Sequence, residues 1–270
     1  MEQLNYFGEH VIKTSRNDLE GCVEQIKIQG YTILNNVLSE QQANFYAALL
    51  DKVYATQCEE VGGEGNLTKT GELGVARNLV DYKREFSDLI SHADVLSILI
   101  KLMGNYFTLM YQSGIINTPH VKKYPSNWHR DLIHQNFTSS KPLAVTVIFC
   151  IDDFTLENGG TVLIPFSHKL ESVPSAAYLE SNQLKTVAKK GSILIADSML
   201  LHKTGDNISN AIRRAIVNVY ALPFINQPFY FAHKTIEGIP AEQQGLMYKL
   251  LGFMTRPQPS LVDYRKNRLS

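Results

Sequence analysis

His129 and Asp131 have the residue types and the spacing to do chemistry together. They stand two residues apart in the segment Asn127-Trp128-His129-Arg130-Asp131 of the 270-residue chain. On a β-strand, residues i and i+2 project to the same side, so the imidazole and the carboxylate can converge on one metal ion. Alone, such a pair is more often surface chemistry or a buried hydrogen bond, so the metal interpretation needs further ligands.

His202 supplies the third candidate ligand. It follows a predicted strand over residues 191–197 and precedes the turn Gly205-Asp206-Asn207, so it lies where a strand ends. Two histidines and one carboxylate are the facial ligand set of non-haem Fe(II) sites, which keep positions open for substrate, cosubstrate and O2. The alternative interpretation of His202 is a loop histidine that caps a turn.

Arg213 is the fourth candidate, eleven residues after His202. The intervening segment 205–210 is rich in turn formers, so we expect the strand that begins at Arg214 to return beside the strand that holds His202. An arginine at the start of that strand can grip a carboxylate with two parallel hydrogen bonds. Arg214 is expected to face the opposite side, because adjacent strand residues alternate. The alternative interpretation of Arg213 is a surface arginine at a strand start.

The elements that must position these residues change in character along the chain. The first hundred residues show helical spacing, with a capping-box pattern at Ser39 and Gln42 and a helix stop at Gly104. From residue 106 onward the pattern is that of strands, without a convincing crossover helix between them. The predicted helices lie at 19–29, 39–54, 89–103 and 241–253, and the predicted strands at 31–34, 143–151, 161–164, 191–196 and 214–222.

These elements predict one domain over residues 1–270, mostly β with flanking α-helices. A helical N-terminal part covers about residues 1–104 and an antiparallel sandwich or barrel about 105–224. A C-terminal helix and a solvated basic tail cover residues 225–270.

The segment 61–78 between the two long predicted helices carries five glycines. It is predicted to be either a surface loop or a mobile lid. The lid is considered because structureless loops of more than about 12–15 residues are often functional. If it is a lid, Arg77 and Asn78 at its end can reach into a site.

Composition excludes several classes of protein. Lys and Arg number 26 and so do Asp and Glu, so charge gives no reason to expect a nucleic acid or an anionic membrane as partner. The longest strongly apolar stretch, near residues 144–151, is far shorter than the roughly 20 residues that cross a bilayer. With three scattered cysteines and no visible secretory signal, the chain is expected to be cytoplasmic.

Taken together, the motifs resemble the phytanoyl-CoA dioxygenase family. They are Trp-His-x-Asp at 128–131, Leu-Glu-Asn-Gly-Gly-Thr-Val-Leu-Ile-Pro-x-Ser-His at 156–168, and His202 with Arg213. The resemblance runs from about Gly30 to about Pro223. It implies a double-stranded β-helix, a jelly-roll or cupin-like barrel, and a dioxygenase that uses Fe(II), 2-oxoglutarate and O2.

The resemblance also implies roles for single residues. His129, Asp131 and His202 would bind iron, and Arg213 would bind the distal carboxylate of 2-oxoglutarate. Thr204 stands where the family often has a serine that bonds the same carboxylate. Gln112 and Asn117 resemble a segment that contacts 2-oxoglutarate in ectoine-hydroxylase-like members, with an apparent one-residue insertion before Asn117. The sequence departs from the family pattern at Phe166 and Lys203, where glycines are usual. Neither residue is a metal ligand, and both are expected in loops near the site.

The expected reaction is hydroxylation of an unactivated C–H bond of a small molecule, with release of succinate and CO2. Family halogenases replace the carboxylate of the triad with a small residue, and here Asp131 is present. Desaturation and ring chemistry use the same ligands and stay open. So do two functions of a different class: a non-enzymatic β-barrel module that binds metal or 2-oxoglutarate, and a zinc hydrolase with His134 as general base.

The substrate itself is not predicted. Trp128, His134, Arg77 and Asn78 are candidates for the mouth of the site, although each is more commonly a packing or surface residue. We expect a small-molecule substrate and a monomer or homodimer.

Overall fold

The computed structural model describes residues 18–121, 127–132, 136–257, 259–266 and 268–269. Its helices are α1 (Asp18–Gln29), α2 (Glu40–Glu60), α3 (Glu64–Thr70), α4 (Leu79–Tyr82), α5 (Ser87–Ile90), α6 (Ala93–Met103), α7 (Ala176–Asn182), α8 (Ala241–Leu250) and α9 (Leu261–Lys266). Short 3-10 helices cover Arg84–Phe86, Ser167–Lys169 and His233–Ile236. The strands are β1 (Tyr31–Leu34), β2 (Val75–Arg77), β3 (Thr108–Asn117), β4 (Ala144–Cys150), β5 (Thr161–Leu163), β6 (Leu184–Lys185), β7 (Ile193–Asp197), β8 (His202–Thr204) and β9 (Arg213–Ala221).

The strands form two antiparallel sheets. The larger sheet has the order β1-β7-β4-β9-β3-β2, and the smaller has the order β6-β5-β8. This arrangement with its flanking helices confirms the predicted fold class, the jelly-roll form of a double-stranded β-helix. The boundary of the β part differs from the prediction, because β1 and β2 come from the predicted helical part and form the two edges of the larger sheet.

Local signals decide where several elements begin and end. The capping box of α2 is present: the Ser39 side chain accepts from the Gln42 amide, and the Gln42 side chain accepts from the Ser39 amide. Helix α6 ends at Gly104, whose φ of 85° is in the region that favours glycine. The predicted strand 31–34 is β1.

One face of the larger sheet packs against the helices and forms the main core. The other face points toward the smaller sheet. Val147 of β4 and Ile195 of β7 pack with Leu50 of α2 and Leu99 of α6 in the main core cluster. Ile148, the next residue along β4, belongs to a separate cluster on the other face. The strict alternation of side chains along a strand therefore gives β4 one face toward the helices and one toward the smaller sheet.

The prediction that the strand of Arg214 returns beside the strand of His202 is wrong. His202 begins β8, which pairs with β5 in the smaller sheet. Strand β9 lies between β3 and β4 in the larger sheet. The chain crosses from one sheet to the other between β8 and β9, so His202 and Arg213 belong to different sheets.

The glycine-rich segment 61–78 is not a structureless loop. The prediction of a mobile lid, which depended on such a loop, therefore has no support. Helix α3 occupies the centre of the segment, and β2 pairs Val75, Ala76 and Arg77 with Ile115, Gly114 and Ser113 of β3. Two of the glycines cap this helix: Gly63 precedes it, and Gly71 closes it in the left-handed conformation, with φ of 75°.

The C-terminal part departs slightly from the prediction. The predicted helix 241–253 is α8 and ends at Leu250, and two residues of the predicted basic tail, Arg265 and Lys266, belong to α9. Among the described residues, none of the helices has the length and apolar character to cross a membrane.

Candidate metal centre and cosubstrate site

The three predicted metal ligands come together. One candidate ligand atom each from His129, Asp131 and His202 lies within 4.8 Å of the others. The two histidines form an isolated antiparallel bridge in which each amide donates to the carbonyl of the other at 3.0 Å. The amide of Asp131 donates to the carbonyl of Ser198 at 2.9 Å. His129 is thus held by a single bridge rather than by the strand we predicted.

Hydrogen bonds define the same tautomer in both histidines. Nδ1 of His129 lies 2.9 Å from the carbonyl oxygen of Asn127, and Nδ1 of His202 lies 2.9 Å from that of Leu200. Because a carbonyl only accepts, each Nδ1 carries the hydrogen, and each Nε2 keeps its lone pair for a metal. Burial, and then the neighbouring His202, lower the pKa of His129 below its ordinary value, which favours the neutral ligand form.

Arg213 is buried without a carboxylate partner. It is 2% exposed, its Nη2 donates to the carbonyl of Gly159, and its guanidinium lies 4.9 Å from the centre of the Phe154 ring. Its Nε has no hydrogen-bond partner, and burial lowers its pKa to about 10. In the part of the chain that the structure describes, Arg213 forms no ion pair. A buried guanidinium with an unpaired N–H fits an anionic ligand such as a carboxylate.

A cavity of about 440 Å³ between the two sheets connects the triad with Arg213, since all four residues line it. Its apolar lining comes from strands β2, β3, β4 and β9 of the larger sheet and from the residue after Asp131, and includes Val75, Ile115, Leu132, Ile148, Ala215 and Val217. The smaller sheet adds Thr161, Lys203 and Thr204. The donor set fits a divalent metal at one position and a dicarboxylate extending toward Arg213.

The three other predicted cosubstrate residues differ in their placement. Thr204 lines the cavity opposite Thr161. Asn117 lies directly opposite Arg213 in the β3–β9 pair, and its amide donates to the carbonyls of Gly159 and Gly205.

The prediction for Gln112 is wrong. Its side chain is fully buried on the helix-facing side of β3, where its amide donates to the Phe86 carbonyl and to the side-chain oxygen of Asn218. The alternation of β3 instead directs Tyr111 and Ser113 into the cavity.

The four candidate substrate residues do not all line the metal cavity. Arg77 lines the metal cavity. Asn78 lies in a neighbouring cavity between α2, β2 and α4 and does not line the metal cavity. Trp128 packs against a small cluster of Ile164, Leu179 and Leu201 rather than lining the cavity. His134 lies outside the described residues.

The two departures from the family pattern have different surroundings. Phe166 is 57% exposed in a turn with φ of 67°, a conformation that favours glycine. Lys203 lines the cavity and places its ammonium 4.8 Å from the centre of the Trp128 ring. Phe166 therefore strains a surface turn, whereas Lys203 adds a positive charge at the cavity wall.

Two hydroxyl residues near the triad were not singled out from the sequence. Thr146 and Ser198 are buried, and Thr146 donates to the carboxylate of Asp131. Thr146 lies in the predicted strand 143–151, but a strand prediction does not show which residues its side chain contacts.

Comparisons with known proteins agree with this geometry. The family model described as phytanoyl-CoA dioxygenase (PhyH) matches residues 26–215. An uncharacterized protein of Mycobacterium tuberculosis is 28% identical over 260 residues, covering 94% of both chains. An iron/alpha-ketoglutarate-dependent dioxygenase of Aspergillus calidoustus is 24% identical over 209 residues, covering 72% of this chain and 67% of the relative.

Solved structures share the fold. The iron-bound EctD structure from S. alaskensis has a TM-score of 0.62 at 17% identity, covering 75% of this chain and 76% of that one. The epimerase SnoN, in complex with Fe3+, alpha ketoglutarate and nogalamycin RO, has a TM-score of 0.60 at 18% identity, covering 76% and 84%. With a family model that spans most of the chain, the resemblance seen in the motifs is confirmed, and this protein belongs to the phytanoyl-CoA dioxygenase family.

Proposed function

We propose that this protein, an Fe(II)- and 2-oxoglutarate-dependent dioxygenase by its family, hydroxylates an unactivated C–H bond of a small molecule and releases succinate and CO2. The observation that carries the proposal is one cavity lined by both the His129–Asp131–His202 cluster and the buried, unpaired Arg213. A cavity that offered only the cluster would fit many metal proteins, and the guanidinium adds a site for the far carboxylate of the cosubstrate.

The chain supplies ligands, orientation and shielding. Nε2 of His129, Nε2 of His202 and the carboxylate of Asp131 would hold Fe(II), while Arg213 and Thr204 would hold 2-oxoglutarate. When bound, this pair supplies the oxidation, in which 2-oxoglutarate loses CO2 and one oxygen atom of O2 goes to the substrate. The apolar cavity wall keeps bulk water away from the reacting centre.

Asp131 favours hydroxylation over halogenation, since it fills a coordination position that a halide would need. It does not by itself distinguish hydroxylation from desaturation or ring chemistry, and solved structures with this fold include a carbocyclase and an epimerase. Product analysis separates these outcomes, because only hydroxylation adds one oxygen atom to the substrate.

Arg77 is the side chain we propose for substrate contact. Glu72 holds its Nε and Nη2 at 2.9 Å, and its Nη1 donates to Ser113. Within the described residues, three of the five N–H groups of this guanidinium are thus engaged, and it is oriented in advance at the cavity wall. With Lys203 also at the wall, we propose a small substrate that carries an acceptor or anionic group.

Neither a zinc hydrolase nor a pure binding module gains support. A zinc hydrolase needs a general base beside the metal, and the described lining residues include no carboxylate or imidazole outside the triad. A binding module that never turns over predicts tight 2-oxoglutarate binding without succinate release.

The test is a succinate-release screen with Fe(II), 2-oxoglutarate and a library of metabolites. We expect succinate to form together with a product that has gained one oxygen atom. His129→Ala and Asp131→Ala should abolish turnover, while His120→Ala, at an exposed histidine outside the cavity, should retain it. Turnover that persists in both triad variants would contradict the proposal.

A further inference from the structure

Both oxygens of the Asp131 carboxylate accept hydrogen bonds from hydroxyl groups of the larger sheet. Tyr111 donates to Oδ1 at 3.1 Å, and Thr146 donates to Oδ2 at 2.5 Å. We infer that Tyr111 and Thr146 are positioning residues that fix the ionised carboxylate for metal binding, and that Ser198 sets the direction of the second bond. This inference rests on the proposed metal site.

The register of the larger sheet explains how two distant residues reach one carboxylate. Tyr111 of β3 and Thr146 of β4 are both direct partners of Val219, which lies on β9 between them. Directly paired residues point to the same face, and two strand spacings separate the outer pair by about 10 Å. The two hydroxyls thus approach from opposite sides of β9, with the Asp131 carboxylate between them.

Ser198 fixes the direction of the hydrogen bonds. Its hydroxyl lies 2.8 Å from that of Thr146, and both residues are at most 2% exposed. A hydroxyl has one hydrogen, and that of Thr146 goes to the carboxylate, which only accepts when ionised. Ser198 must therefore donate to Thr146. Its own carbonyl accepts the amide of Asp131, so Ser198 contacts this ligand through its main chain and acts on it through Thr146 with its side chain.

A carboxylate held at both oxygens has little freedom to rotate about its Cβ–Cγ bond. With one donor it would pivot around that contact, whereas two donors on opposite sides fix its plane. Outer hydrogen-bond partners of this kind orient metal ligands, and their loss typically costs about 10- to 100-fold in metal affinity or activity. Oδ2 also lies 3.7 Å from Nε2 of His202, so the fixed carboxylate faces the next ligand.

The test measures Co(II) binding to the full chain by absorption and calorimetry, without 2-oxoglutarate. Tyr111→Phe and Thr146→Val each remove one hydroxyl and little else. We expect each to raise the Co(II) dissociation constant about 10- to 100-fold and to change the Co(II) absorption bands. Thr146→Ser keeps a hydroxyl and should restore most of the affinity. Ser198→Ala should weaken binding less than Thr146→Val, because the direct donor remains.

The matched control is Thr32→Val, which removes the hydroxyl of an equally buried strand threonine at the far edge of the same sheet. It should lower the melting temperature without changing Co(II) affinity. If Thr146→Val does not fold, the Co(II) affinity of Tyr111→Phe, a substitution at a half-buried position, tests the inference. Folded variants that bind Co(II) as tightly as the wild type would overturn the inference. Failure of the wild type to bind Co(II) would instead contradict the proposed metal site.

Discussion

Arg213 and Asn117 lie directly opposite each other on β9 and β3, and both side chains donate to the carbonyl of Gly159. This shared acceptor lies in the turn that leads to β5 of the smaller sheet. It holds the guanidinium at the cavity wall and leaves its Nε without a partner. Arg213 is therefore already oriented to bind an incoming anion.

Replacing Arg213 should weaken cosubstrate binding selectively. Arg213→Gln removes charge-assisted hydrogen bonds, which are worth about 1.5–3 kcal/mol. We expect the 2-oxoglutarate dissociation constant of the Co(II)-loaded protein to rise about 10- to 100-fold, measured by calorimetry, with unchanged Co(II) affinity.

The neighbouring arginine is the matched control for that experiment. Arg214 faces the other side of β9 and binds Asp51 and Asp152. Arg214→Gln should lower stability but leave 2-oxoglutarate affinity unchanged. Equal losses of affinity in the two variants would show that the effect is structural and not one of direct contact.

Phe166 should be replaceable by glycine with a gain in stability. A left-handed backbone costs a residue with a side chain about 1–2 kcal/mol, and glycine avoids that cost but loses more entropy on folding. We expect Phe166→Gly to raise the free energy of unfolding by about 0.5–1 kcal/mol in urea titrations. Phe224, exposed but without a positive φ, is the control, and Phe224→Gly should give no gain. A loss of stability in Phe166→Gly would contradict the claim that the backbone at Phe166 is strained.

Asp197 should make the protein less stable as the pH rises. Burial raises its pKa from 3.8 to about 6, although the Met199 amide, Lys169 and Arg130 oppose this shift. The folded state therefore favours the protonated carboxyl, and keeping the ionised form folded costs up to about 3 kcal/mol at pH 7.

Asp197→Asn should remove that cost. The variant should match the wild type near pH 4, gain on it between pH 4 and pH 6, and stay more stable above pH 7, as measured by urea unfolding. Asp206→Asn, at an exposed turn, serves as control and should show no such pH-dependent gain. A difference between Asp197→Asn and wild type that does not change with pH would contradict the raised pKa.

Features set by local sequence were predictable. The capping box at Ser39 and the stop at Gly104 depend on neighbours within one helical turn, and α2 and α6 begin or end where these residues predict. The alternation along β4 likewise needs no knowledge of the strands beside it.

Features set by strand pairing were not predictable. Gln112 lies on the wrong face for a cosubstrate contact because a register shift between Leu109 and Tyr111 sets which residues of β3 point inward. The Thr146–Ser198 contact joins a residue of β4 to the residue that follows β7, and no local pattern encodes the pairing of these two strands. The triad and Arg213 were found because their residue types and order resemble a family, even though the predicted pairing between their strands is wrong.

The central claim is that Fe(II) and 2-oxoglutarate bind together in this one cavity. An anaerobic absorption titration of the protein with Fe(II) and then 2-oxoglutarate tests it most directly. We predict that the wild type develops a chelate absorption band that saturates at one equivalent each of Fe(II) and 2-oxoglutarate. Asp131→Ala should lose this band, and Arg213→Gln should need more 2-oxoglutarate to form it. A wild-type protein that develops no band, or a band that Asp131→Ala leaves intact, would contradict the account.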